Sequence, residues 1–261
     1  MSGHNKWSKI KRQKGVADIR KGKIFSQLSK QITLEAKNGG DPAMNPALKF
    51  VVEKAKQANM PADNVEKAIK KGTGELEGGA IEEVLYEAYG PEGIALIIEG
   101  TTDSTNRTVA EIKHILSRNS GRLGEAGSVK WMFDRFGYIE IDKKDLQISE
   151  EEAEMMIIDL GAEDFDLTPQ PPPFDSRSGQ ALSGGDIENQ IIVVYTKPED
   201  LYKIKESLEK SDIIIGDVGF EWKAKNTIKI EDEKIHNRIE KLFEALDEQE
   251  DVNDVSSNFE D

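Results

Sequence analysis

The stretch IEEVLYEAYGPEGIALIIEGTTDSTNRTVAEIKHILSRNSG, residues 81–121, decides the fold class. Glu83–Tyr89 alternates apolar and polar side chains, the period of two expected of a half-buried strand. Gly90–Gly93 (GPEG) is a turn, and Ile94–Gly100 is a short apolar strand. The chain then changes period: Val109, Ile112, Ile115 and Leu116 recur at helical steps and form the core face of an amphipathic helix. Thr108 and Glu111 have the spacing of a capping box, and His114, beside the apolar stripe, reads as a packed or capping residue. GSVKWMF (127–133) and GYIEI (137–141) read as the strands that follow. Two strands, a helix and further strands make a helix layer on a sheet.

Upstream the texture is helical. In residues 18–40, Phe25, Leu28, Ile32 and Ala36 recur at three- and four-residue steps until Gly39 and Gly40 stop the helix. Residues 45–61 open with Asn45 as N-cap and Pro46 at the first helical position, bury Leu48, Val51, Val52 and Ala55, and end at Pro61. A third helix over 63–72 takes Asp63 as cap, Val65 and Ile69 as apolar face and Gly72 as stop. GTGELEGGA (72–80) resembles a dinucleotide-binding loop but misses its glycine spacing and has no strand before it, so it reads as a linker.

Downstream, a second α/β unit repeats the pattern weakly. IIVVYT (191–196) is followed by a helix over 197–211 and a strand around Val218–Trp222. Between the two units lies LTPQPPPFDSRSGQALSGGD (167–186), whose prolines favour an extended conformation and whose Ser/Gly remainder reads as a solvated loop. The chain ends in a helix over 231–249 and a short strand, DVNDVSSNF (251–259).

Charge divides the molecule. The net charge is -15, yet residues 1–75 hold 16 basic and 7 acidic side chains, a balance of +9 that leaves -24 for the rest. An acidic body repels nucleic acid and membranes alike, which confines any polyanion contact to the front. Cysteine is absent, so disulfides and thiolate chemistry are excluded, a composition compatible with a cytoplasmic protein. The three histidines are far apart, and no nucleophile elbow or phosphate-binding loop occurs. No catalytic residue, metal ligand or cofactor site is assigned. A non-enzymatic protein is expected.

The first sixteen residues, MSGHNKWSKIKRQKGV, carry Lys6, Lys9, Lys11, Arg12 and Lys14 with no carboxylate, and these cations do not fall on one helical face. They form a cationic strip suited to a phosphate backbone, with Trp7 placed to stack on an unpaired base. Arg20, Lys21 and Lys23 carry the charge into the first helix. The alternative is a solvated basic tail with Trp7 packed back on the helices.

Several blocks resemble the YebC family: residues 3–32, 36–48, 54–74 and 86–137, then GAEDFD (161–166), YTKPEDL (195–201) and the closing DVNDVSSNF. The resemblance implies a mixed α+β protein with a basic arm over 1–20 and a three-helix domain over 21–76. Two α/β sandwich domains would follow, one over 77–133 with 229–261 and the other, over 134–228, inserted into it. It further implies a DNA-binding transcriptional regulator, or alternatively a translation factor that binds ribosomal RNA. The matching residues are His4, Lys6, Trp7, Lys9, Lys11 and Arg12. A third reading makes the acidic domains a surface for a basic protein partner. No membrane or small-molecule partner is expected. Two positions depart from the family pattern, Ala88 and Glu92 standing where glycines are expected.

Overall fold

The computed structural model describes residues 19–142, 150–169, 174–175, 180–181, 190–211 and 213–260. The chain divides into two compact units, one built of Val16–Trp131 with Ile228–Phe259 and the other around Met132–Thr227.

The first unit opens with three helices, α1 (Ile19–Glu35), α2 (Pro46–Gln57) and α3 (Ala62–Gly72). Asn45 caps α2, its side chain accepting from the Leu48 amide at 3.1 Å while its own amide group donates to the carbonyls of Glu35 and Gly39. One side chain thus ends the first helix and starts the second. Leu28, Ile32, Ala36, Leu48, Val51, Val52, Ala55 and Ala68 make the buried core between the helices. At Gly72 a Cβ would lie 2.3 Å from the Thr33 carbonyl oxygen, so α3 crosses α1 too closely for any side chain there. Asp63 is not the cap of α3. Pro61 holds that position and Asp63 sits in the first turn, where its charge still faces the positive end of the helix dipole.

The same unit continues with β1 (Glu82–Tyr89), β2 (Ala95–Thr102), α4 (Thr105–Arg118) and β3 (Arg122–Leu123), and is completed by β10 (Ile228–Lys229), α7 (Glu233–Glu248) and β11 (Val252–Ser257) from the end of the chain. Its antiparallel sheet runs in the order β11-β2-β1-β3. The Tyr86 hydroxyl reaches the Thr105 carbonyl on α4, which makes the even-numbered residues of β1 the helix-facing side and places Glu87 and Tyr89 on the opposite face. Ile112, Leu116, Ile239, Leu242 and Leu246 are buried beneath the two helices. His114 is exposed on α4 and neither packs in that core nor caps the helix.

The second unit carries β4 (Phe133–Asp142), α5 (Glu150–Asp159), β5 (Asp164–Pro169), β8 (Gln190–Thr196), α6 (Leu201–Lys210) and β9 (Ile215–Ala224). Its sheet runs β5-β8-β4-β9, again antiparallel throughout. Of the 167–186 stretch read as a loop, Leu167–Pro169 belong to β5, and β6 (Phe174–Asp175) pairs with β7 (Gln180–Ala181).

The weak repeat in the sequence is a repeat of topology. In each sheet a central strand (β1, β4) is flanked by two mutually parallel strands joined through a helix, β2–α4–β3 in one and β8–α6–β9 in the other. The fourth strand of each lies outside the second and follows a helix, α7–β11 in one and α5–β5 in the other. Only the place of that helix–strand pair in the chain differs.

One expected strand is absent. GSVKWMF (127–133) forms a loop and a 3-10 turn over Lys130–Met132, and a single strand, β4, runs from Phe133 through the expected GYIEI segment. The reason is local. The amides of Gly127, Val129 and Lys130 donate to the Glu87 carboxylate, so no neighbouring strand can use them.

Candidate nucleic-acid interface

His4, Lys6, Trp7, Lys9, Lys11, Arg12 and Lys14 lie outside the described residues. Arg20 and Lys21 stand in the first turn of α1, which holds no acidic residue. Natural helices favour carboxylates there, because the unpaired amides and the dipole make that end positive. The first turn of α1 thus brings no carboxylate to offset the positive end of its dipole.

Lys23 is turned elsewhere. With Gln27 and Lys30 it forms a polar stripe at helical spacing, and all three reach the α7–β11 turn: Lys23 lies 3.9 Å from Asp247, Gln27 donates to the Val252 carbonyl, and Lys30 pairs with Asp251. Of the cations assigned from sequence, Lys23 therefore helps dock the helix.

Asp251 is the centre of that docking. Its side chain is 1% exposed. It accepts from Lys30 Nζ, from Arg107 at 2.9 Å, from the Thr108 hydroxyl at 2.7 Å and from the Thr102 hydroxyl at 3.2 Å. Burial alone would raise its pKa, but the bonds from Lys30, Thr108 and Arg107, with the Lys30 charge, outweigh burial and hold it well below the usual carboxylate range. The same contact, with a second bond to Asp103, raises the Arg107 pKa. Thr108 is therefore not the cap of α4. It lies fully buried within the helix, Ser104 holds the cap position, and Glu111 accepts from Gln249 instead. Nothing in the spacing of Thr108 and Glu111 distinguishes these roles from a capping box.

A second constellation sits on the other face of the first sheet. Glu87, 6% exposed, accepts from the backbone amides of Gly127, Val129 and Lys130 at 2.5, 2.7 and 2.8 Å. Burial opposes its ionisation, yet the three amides and the Lys130 charge together lower its pKa. Gly127 has φ +83°, a conformation that brings its amide into this clamp and that glycine adopts without strain. The clamped loop presents Trp131, a residue 66% exposed. The Trp131 indole N–H and the Tyr89 hydroxyl both donate to one acceptor, the Ser128 carbonyl, each at 3.1 Å. Arg122 stacks its guanidinium 4.5 Å above the Tyr89 ring. The strand pattern read into 127–133 concealed this surface, and only the abundance of loop-forming residues in GEAGS (124–128) could have warned of it.

Among the described residues, no group of three or more His, Asp or Glu is placed to hold a metal ion, and no helix is long and apolar enough to cross a membrane.

Three helices at the start, two antiparallel sheets each carrying helices, and a charge that changes sign along the chain define a class of multidomain α+β protein. Two family models match: the TACO1/YebC N-terminal domain over residues 5–75 and the TACO1/YebC second and third domain over residues 81–259. The chain belongs to the TACO1/YebC family. It is 44% identical to a protein of Thermoanaerobacter pseudethanolicus, over 100% of this chain and 97% of that one, and 41% identical to one of Halothermothrix orenii, over 99% and 95%. Both carry the name "Probable transcriptional regulatory protein". The crystal structure of a conserved hypothetical protein from Aquifex aeolicus superposes with a TM-score of 0.81 at 40% identity, covering 98% of this chain and 97% of that one.

Proposed function

We propose that this chain is a cytoplasmic, non-enzymatic regulator of gene expression that binds nucleic acid through its basic arm and the start of α1. The charge split carries the reading: +9 over residues 1–75 against -24 over the remainder. A cation-bearing helix N-terminus with no acidic residue in its first turn supports it. Lys6, Lys9, Lys11, Arg12, Lys14, Arg20 and Lys21 contact phosphates, His4 and Trp7 lie among them, and Lys23 orients the helix from its docking face. The names of the relatives favour a role in transcription, which a DNA contact would serve. An acidic body beside one cationic arm equally suits structured RNA, because phosphate contacts position a protein without reading sequence.

Affinity against salt tests the reading, with one duplex from a candidate regulated promoter, a scrambled duplex and structured ribosomal RNA, for the full chain and a chain lacking residues 1–16. If all five arm cations sit on phosphates, truncation reduces the log–log salt slope by about 4–5 on duplex DNA. A preference for the promoter that persists at physiological salt supports transcription. Equal binding to both duplexes with tighter binding to the RNA supports translation. Unchanged affinity and slope after truncation overturn the arm as the interface.

A further inference from the structure

We propose that the surface of Trp131, Tyr89, Arg122 and Lys130 is a second nucleic-acid contact, which stacks an unpaired base on Trp131 and holds the adjoining phosphates by the flanking cations. The proposal rests on the nucleic-acid reading above and adds to it a stacking position for an unpaired base outside the arm.

Trp131 is 66% exposed, and an indole left so open on a polar surface loses free energy until something planar or apolar covers it. It is also held still. Its N–H is spent on the Ser128 carbonyl, the same oxygen takes the Tyr89 hydroxyl, and the loop beneath is anchored by three amides on the Glu87 carboxylate. A ring fixed before its partner arrives loses little conformational entropy on binding. With its N–H occupied, the indole offers only a π-face, which stacks on any base and reads none. Duplex bases are already stacked on each other, so the surface selects unpaired ones. Net charge alone confines polyanion contact to the front, but it is an average over the whole body, and here the polar neighbours of the ring point to an anion. Arg122 keeps a planar guanidinium stacked on Tyr89, itself two hydrogen bonds from the indole, and Lys130 is exposed beside Trp131 in the chain. Aromatic face and cations together match a nucleotide better than an acidic peptide, which has the charge but no ring to stack.

The test titrates single-stranded oligouridine and an RNA duplex of equal length, at several salt concentrations, into the full chain, its Trp131→Ala, Trp131→Phe and Arg122→Gln variants, and the chain lacking residues 1–16. Trp131→Ala is expected to weaken oligouridine binding by about 5- to 150-fold, the range of one lost stacked base, with duplex affinity and both salt slopes unchanged. Trp131→Phe keeps most of the affinity. Arg122→Gln keeps the fold and lowers the single-strand slope by about 0.7, one phosphate contact. Oligouridine affinity unaltered by Trp131→Ala and Arg122→Gln overturns the proposal, and so does an equal loss on strand and duplex. Trp131-dependent binding of an acidic peptide without binding of oligouridine overturns it as well. In each of these cases a lowered slope on arm truncation leaves the arm reading standing. Absence of binding to either nucleic acid by the full chain removes both.

Discussion

Lys30, in the first helix, and Asp251, 221 positions later, form an ion pair in which the ammonium side chain is 15% exposed and the carboxylate 1%. This contact ties the helical front of the chain to its last helix–strand turn. A carboxylate so enclosed is tolerated only because donors surround it: Lys30, Arg107, Thr102 and Thr108 reach it together.

Lys30→Met removes one of those donors and leaves the carboxylate buried. The expected loss is about 2–3 kcal/mol, below the 3–5 typical of a broken buried pair because Arg107 and the threonines remain. Urea unfolding measures it. A double-mutant cycle with Asp251→Asn should show coupling between the two sites, and additive losses would mean the pair contributes no mutual stabilisation.

The depressed pKa of Asp251 fixes the sign of a pH dependence. Below the unfolded carboxylate value of about 3.9, the unfolded chain binds a proton that the folded chain refuses, so stability rises with pH through that region. The contribution is fully present above it and is lost as pH falls toward the folded pKa. Thermal unfolding from pH 6 downward should show the decline, shallower in Asp251→Asn. Glu87, also depressed, adds to the parent's slope in the same window.

Glu87→Gln keeps the shape of the side chain but removes its charge and turns one acceptor into a donor facing backbone amides. The expected destabilisation is about 2–3 kcal/mol. Its particular signature is faster hydrogen exchange at Gly127, Val129 and Lys130, with the sheet amides of β1 and β2 little changed. Uniform acceleration across the unit would mean that the clamp does not act locally.

Glu92 has φ 53° and ψ 17°, the left-handed region in which a side chain is strained. Glu92→Gly should therefore stabilise the unit by about 0.5–1 kcal/mol, raising the unfolding midpoint. A lowered midpoint would show that the Glu92 side chain makes a contact outweighing the strain.

Much of the local structure was legible in the residues alone. Asn45 and Pro46 start α2, and the apolar Ile94–Gly100 run anticipates the buried β2, because caps and periodicities are short-range physics. The mixed α+β class follows from the change of period after Ile81. The charge asymmetry that motivates the nucleic-acid reading is likewise a property of sequence. What the residues could not disclose are the partnerships made across long separations. Asp251 opens a stretch that reads as an ordinary closing strand, and Thr108 looks like a cap. Only when α7 and β11 return to the first sheet do Lys30, Arg107, Thr108 and Asp251 meet. Glu87 alternates as a polar strand residue should, and nothing local shows that it will take three amides from a loop forty residues on. By binding those amides it turned an expected strand into the loop that exposes Trp131. Composition, caps and hydrophobic period determined which elements form and where the charge lies. Tertiary structure decided which buried carboxylate meets which donors, since a buried charge is satisfied by whatever the fold brings to it.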